Sequence, residues 1–208
     1  METFLPSAAE LLRAEIATAA ARFIAEDGAD YGTAKRKAVR QILGDTKAKG
    51  NILPDNQQIE DEVRLYNELF FGETQPARLL ALRTLALQTM QNLQQFNPYL
   101  TGAVLNGTAG EHSDIYLQLF TDSPKDVEIH LLNQNIHFEV SETFLARNEP
   151  VETLSFMNGK EGIHLTIYQT DDLRGAVKAS AQGRLERADI AAVQALIQDG
   201  LCQDGENK

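Results

Sequence analysis

Apolar residues recur every three to four positions through the first hundred residues, then every second position through much of the remaining chain. The first period is that of a helix with one buried face, and the second that of a half-buried strand. Leu12, Ile16, Ala20 and Phe23 share one helical face, and Gly28 stands where that helix would stop. Thr33 is placed to cap a second helix running to Leu43, and Gly44 to Gly50 reads as a polar turn. Asp55, with Gln58 three residues on, predicts a capping box at the head of a third helix. Its apolar face is Ile59, Val63, Tyr66 and Phe70, and Gly72 ends it. Pro76 suits the first turn of a fourth helix with the stripe Leu79, Leu82, Ala86, Met90, Leu93 and Phe96, stopped by Pro98. Four helices joined by short loops predict a small bundle.

Beyond Pro98 the spacing shortens. Thr101–Leu105 reads as a short apolar strand, and Ile115, Leu117 and Leu119 alternate with Asp114, Tyr116 and Gln118. Ser123-Pro124 opens a helix carrying Val127, Leu131 and Leu132. Ile136, Phe138 and Val140 alternate, as do Leu154 and Phe156, and Asn158-Gly159 signals a hairpin into Ile163, Leu165 and Ile167. A last helix from Ala188 carries Ile190, Val193, Ile197 and Leu201, with Gly200 near its end and a polar, frayed tail after it. The expectation is an α+β protein: a helical N-terminal bundle over 1–98, then a mixed sheet with flanking helices over 99–208.

Composition narrows the setting. The 208 residues are 43% apolar and allow one large domain or two small ones. No run reaches the about 18 apolar residues of a membrane span. The first residues lack the basic, apolar, small-residue order of a signal peptide. A lone cysteine, Cys202, fits a reducing compartment, so a cytoplasmic protein is expected. The net charge of −11 is uneven. Residues 1–102 hold 11 Lys+Arg against 13 Asp+Glu, and 103–208 hold 8 against 17. An acidic half repels nucleic acid. The basic run Lys35, Arg36, Lys37 and Arg40 is read as a solvated face paired with acids such as Glu26, Asp27 and Asp30.

Candidate chemistry concentrates in Val104-Leu105-Asn106-Gly107-Thr108-Ala109-Gly110-Glu111-His112-Ser113-Asp114-Ile115-Tyr116-Leu117. A glycine before a small hydroxyl residue lets backbone approach a phosphate closely, and carboxylates two apart on a strand face the same way. The segment resembles the signature of the DNA-polymerase-beta-like nucleotidyltransferases: an apolar strand, Gly-Ser, a linker with a second glycine, then Ser-Asp-x-Asp. Gly107-Thr108 stands at the Gly-Ser position, Gly110 at the second glycine, and Ser113-Asp114 at the start of Ser-Asp-x-Asp. The resemblance implies a nucleotidyltransferase-like sheet and transfer of a nucleoside monophosphate from a nucleoside triphosphate to a hydroxyl, with Mg²⁺ neutralising the phosphates. It implies that Asp114 is the catalytic metal ligand and that Gly107, Thr108, Gly110, Ser113 and Tyr116 contact the nucleotide. The sequence departs from the pattern at Tyr116, where a second carboxylate is expected. The third carboxylate belongs on a later strand. His164 takes that place if the strand is Ile163–Leu165, and Glu139 serves as a metal ligand if the strand is Ile136–Val140. A nucleotidyltransferase fold kept for nucleotide binding or protein contact is the rival to an active transferase.

Other chemistries find less footing. His112, His130, His137 and His164 show no metalloprotease spacing, and no second cysteine supports zinc. Ser, His and Asp are present without a G-x-S-x-G elbow, which sets a hydrolase aside. Asn158-Gly159-Lys160 lacks the spacing of a phosphate loop. The stripe over 79–96 reads as core, with sharing between two copies of the chain as the alternative.

Overall fold

The computed structural model describes residues 7–44, 50–144, 150–173 and 186–206. The chain divides into two compact units. The first runs to Gln75 and takes in Thr108–His112, and the second holds Pro76–Gly107 and everything from Ser113 on. The fourth helix therefore belongs, from Pro76, with the sheet.

The first unit is helical. Helix α1 (Ala8–Asp27) opens on a Ser7–Glu10 capping box and closes on Gly28 at φ 66°. Helix α2 (Tyr31–Leu43) is capped by Asp30, whose carboxylate accepts from the Thr33 N–H. The cap is thus three residues before the expected Thr33, because Asp outcompetes Thr for the first free backbone donors. Helix α3 (Asn56–Phe71) has the predicted Asp55–Gln58 box, with a 2.8 Å bond from the Gln58 N–H to Asp55. Small residues let the helices approach closely: Ile16, Ala17, Ala20 and Ala21 pack with Ala34, Ala38, Ile59 and Val63. The buried row of α3 continues to Asn67, while Phe70 is 64% exposed, so the expected Tyr66–Phe70 edge lies off the core. Most of the polar turn expected between Gly44 and Gly50 lies outside the described residues.

The second unit carries α4 (Gln75–Asn92), β1 (Tyr99–Thr101), α5 (Gly102–Asn106), β2 (Ile115–Phe120), α6 (Pro124–Asn133), β3 (Glu139–Phe144), β4 (Pro150–Asn158), β5 (Glu161–Tyr168) and α7 (Ile190–Glu206). The five strands form one mixed sheet in the order β1-β2-β5-β4-β3, with β2 and β5 parallel and the other pairs antiparallel. Parallel pairing needs a crossover, and the chain from α6 through the β3–β4 hairpin supplies it. The architecture is the α+β arrangement expected, with helices preceding the sheet.

Three boundaries differ from expectation. The strand placed at Thr101–Leu105 is instead β1 followed by a helical turn, because a short apolar run reads equally as buried strand or buried helix. Gly102, at φ 71°, makes the sharp entry that residues with a side chain resist. The strand expected from Ile136 begins at Glu139. Asn135, at φ 57°, turns the chain just before it. The last helix starts at Ile190, and Ala188 bridges to Leu100 instead. Among the described residues no helix is long and apolar enough to cross a membrane.

Two arginines of α4 fix the head of β5 and the end of α5. Arg78 holds Glu161 at the head of β5 through a bidentate pair at 2.6 and 2.5 Å, both side chains largely buried. Arg83 donates to the carbonyls of Val104 and Leu105 at 3.1 and 3.2 Å, satisfying the free end of α5.

Candidate functional site

Strand alternation builds the site. β2 buries Ile115, Leu117 and Leu119, so Asp114 and Tyr116 fall on the opposite face. β5 buries Ile163, Leu165 and Ile167, which puts His164 on that same opposite face. The two-residue turn after Asn158, with Gly159 at φ 64°, pairs Asn158 with Glu161 and hence Ser155 with His164. One row then crosses the whole sheet: Thr101, Tyr116, His164, Ser155, Glu139.

Tyr116, His164 and Ser155 of this row engage one another and Asp114 on the same face. Asp114 Oδ2 lies 3.2 Å from His164 Nε2, and His164 Nδ1 lies 2.9 Å from Ser155 Oγ. The Tyr116 ring stacks on the imidazole at 4.7 Å between centroids and 18° between planes. Asp114 leans across Gly162, where a Cβ would come within 2.5 Å of its Oδ1. A cleft of about 730 Å³ opens here, lined by Asp114, Ser155, His164, Glu139, Phe138 and Met157 among others. That size is within the range of small-molecule sites.

Sheet order decides which residue takes the third position. The strand beside β2 is β5, so His164 stands next to Tyr116. Glu139 lines the same cleft but sits on the edge strand β3, three strand spacings from β2. At about 4.8 Å per spacing that is roughly 14 Å, too far to share an ion with Asp114.

The linker residues divide between the two units. Gly107, at φ 82°, ends α5, with Arg83 Nη2 3.7 Å from where its Cβ would be. Burial lowers the pKa of that guanidinium. Ser113, Asp114 and Tyr116 share this unit with Gly107, whereas Thr108 and Gly110 belong to the helical one. Thr108 is 4% exposed, and its carbonyl accepts from Asn67 Nδ2 at 3.1 Å. Burial raises the phenol pKa of Tyr31 in the same unit. A threonine so enclosed offers a ligand little of its hydroxyl. Ser155 and Gly162 belong to no motif and are not singled out by the sequence, although the Asn158-Gly159 turn and the alternation of β5 together place Ser155 opposite His164.

Mg²⁺ asks for nearly octahedral oxygen ligands. At the three places where the resemblance puts carboxylates stand one carboxylate, a phenol and an imidazole, and the carboxylate already faces the imidazole. This donor set does not fit a paired Mg²⁺ site. Among the described residues no three His, Cys, Asp or Glu side chains gather as a metal cage.

No protein-family model matches the chain. No curated protein matches it either. Among solved structures, a chain from the "structure of GLD-2/RNP-8 complex" aligns with 55% of this chain at 16% identity and a TM-score of 0.29. The alignment covers 48% of that chain, so this protein spans about half its length. The chemistry of the site is read from its own residues.

Proposed function

We propose that this chain is a nucleotidyltransferase-like binding module, which takes a nucleotide on the sheet face at Asp114, Tyr116 and His164 without transferring its nucleoside monophosphate. The observation that carries this reading is the replacement of two of three expected carboxylates by groups already bonded to, or stacked on, one another. Phosphoryl-type transfer depends on cations that neutralise charge on the phosphate oxygens, and bridging carboxylates hold those cations. A phenol and an imidazole do not replace them. Binding needs less. Tyr116 is 47% exposed and offers an aromatic surface, and a stacked base contributes on the order of 1–3 kcal/mol. The carboxylate of Asp114 accepts hydrogen bonds from ribose hydroxyls.

Isothermal titration of ATP, GTP, CTP and UTP, with and without Mg²⁺, tests the reading alongside an assay for released pyrophosphate. The expected result is saturable binding of one nucleotide, weakened at least about tenfold by Tyr116→Ala, with no pyrophosphate formed. Pyrophosphate release abolished by Asp114→Ala would establish an active transferase instead. Absence of binding to all four would remove the nucleotide from the picture.

A further inference from the structure

The disagreement between the site and Mg²⁺ has a positive side, because an imidazole and a carboxylate held together are themselves a ligand pair. We infer that Asp114 and His164 bind a single borderline divalent transition metal, of the Zn²⁺ or Co²⁺ type, in place of Mg²⁺. The inference stands on the side-chain geometry alone and does not depend on nucleotide binding.

Three observations support it. The first is spacing. Two ligand atoms about 2.1 Å from one ion, at angles between octahedral and tetrahedral, are about 3.0–3.4 Å apart. Nε2 of His164 and Oδ2 of Asp114 are 3.2 Å apart. The second is support from neighbours. Metal-bound histidines donate their other ring N–H to an oxygen, which fixes tautomer and ring orientation. Ser155 Oγ is 2.9 Å from Nδ1, and Tyr116 stacks on the ring. Gly162 leaves the space that Asp114 fills. The third is proton accounting. If Nδ1–H donates to Ser155, the Nε2 lone pair faces the lone pairs of a carboxylate, and a second ring proton or a metal cation between them relieves that. If Ser155 donates instead, a proton on Nε2 holds the place, and a metal displaces it.

Ligand type gives the selectivity. Imidazole suits Zn²⁺ and chemically similar Co²⁺, while Mg²⁺, like Mn²⁺, prefers an all-oxygen shell, and Mg²⁺ sheds water reluctantly. The protein supplies two ligands, and the cleft is open beside them, so water or the oxygens of a bound anion complete the shell. Such a site binds reversibly rather than structurally.

The test uses chelator-treated full-length protein titrated with Zn²⁺, Mn²⁺ and Mg²⁺ alone, with the visible spectrum of added Co²⁺ as a direct report on coordination. Zn²⁺ is expected to bind one per chain, at least about tenfold tighter than Mg²⁺, and Co²⁺ to develop ligand-field bands. His164→Ala and Asp114→Asn should each abolish both signals with the far-ultraviolet circular dichroism unchanged. Ser155→Ala should weaken binding by about 10–100-fold, the usual cost of losing an outer partner. His112→Ala should change nothing. No transition-metal binding, binding that survives His164→Ala, or Mg²⁺ bound as tightly as Zn²⁺ each overturns the inference. Nucleotide titration in the presence of chelator separates this result from the fate of the nucleotide reading.

Discussion

Gly162 shows how much one missing methyl group decides. Asp114 occupies the volume that a side chain at 162 would need, at 2.5 Å from the ideal Cβ. The carboxylate therefore rests on the backbone of β5 and reaches along the strand to His164. Gly162→Ala should push Asp114 out of contact with the imidazole and destabilise the fold by about 1–3 kcal/mol through overpacking. Thermal unfolding measures the cost, and the double variant Asp114→Ala with Gly162→Ala should recover most of it. If the two substitutions prove additive, Asp114 does not sit where Gly162 makes room.

Among the elements, β5 matters most, because it carries Gly162 and His164 and pairs with both β2 and β4. Its head is anchored by the Arg78–Glu161 pair, with side chains 14% and 12% exposed. Removing one partner of such a pair costs about 3–5 kcal/mol, so Glu161→Gln should lower stability by that order at neutral pH. The Arg78 hydrogen bond, with Arg78 charge behind it, holds the Glu161 pKa below its usual value. A carboxylate whose folded pKa is depressed contributes fully above its unfolded pKa, about 4.3, and loses that contribution as pH falls through the folded value. Denaturant unfolding of the parent and the Gln variant should thus differ at pH 7, draw together as pH falls below about 4.3, and converge only below the lowered folded value. A gap that persists in acid would assign the loss to shape instead of charge.

For the molecule as a whole, the net charge of −11 is the dominant electrostatic fact. The one basic run is partly neutralised, since Lys37 pairs with Asp27 at 3.2 Å. Nucleic acid should not bind at physiological salt, and a gel-shift titration with single-stranded and duplex probes is expected to show no complex. A complex that weakens steeply with added salt would instead locate a phosphate-binding surface around Lys35, Arg36 and Arg40.

Periodicity and end signals in the sequence are enough to place the long helices, the β2 strand and the β4–β5 hairpin. Asp55 and Gly28 act within one turn of chain, and alternation assigns Ile115 and Ile163 to the core whatever surrounds them. Gly107, which ends α5, and Asp114, at the entry to β2, are local features in the same sense. Short apolar runs were not legible in this way, since Gly102–Asn106 buries its residues equally well as helix or strand, and Gly102 decided for the helical turn. Strand order lay beyond any local pattern. The parallel pairing of β2 with β5 joins residues about fifty positions apart, and nothing in either strand specifies its neighbour. That pairing alone brought His164 to Asp114 and left Glu139 on the far edge, because which carboxylate or imidazole completes a site depends on which strands lie side by side.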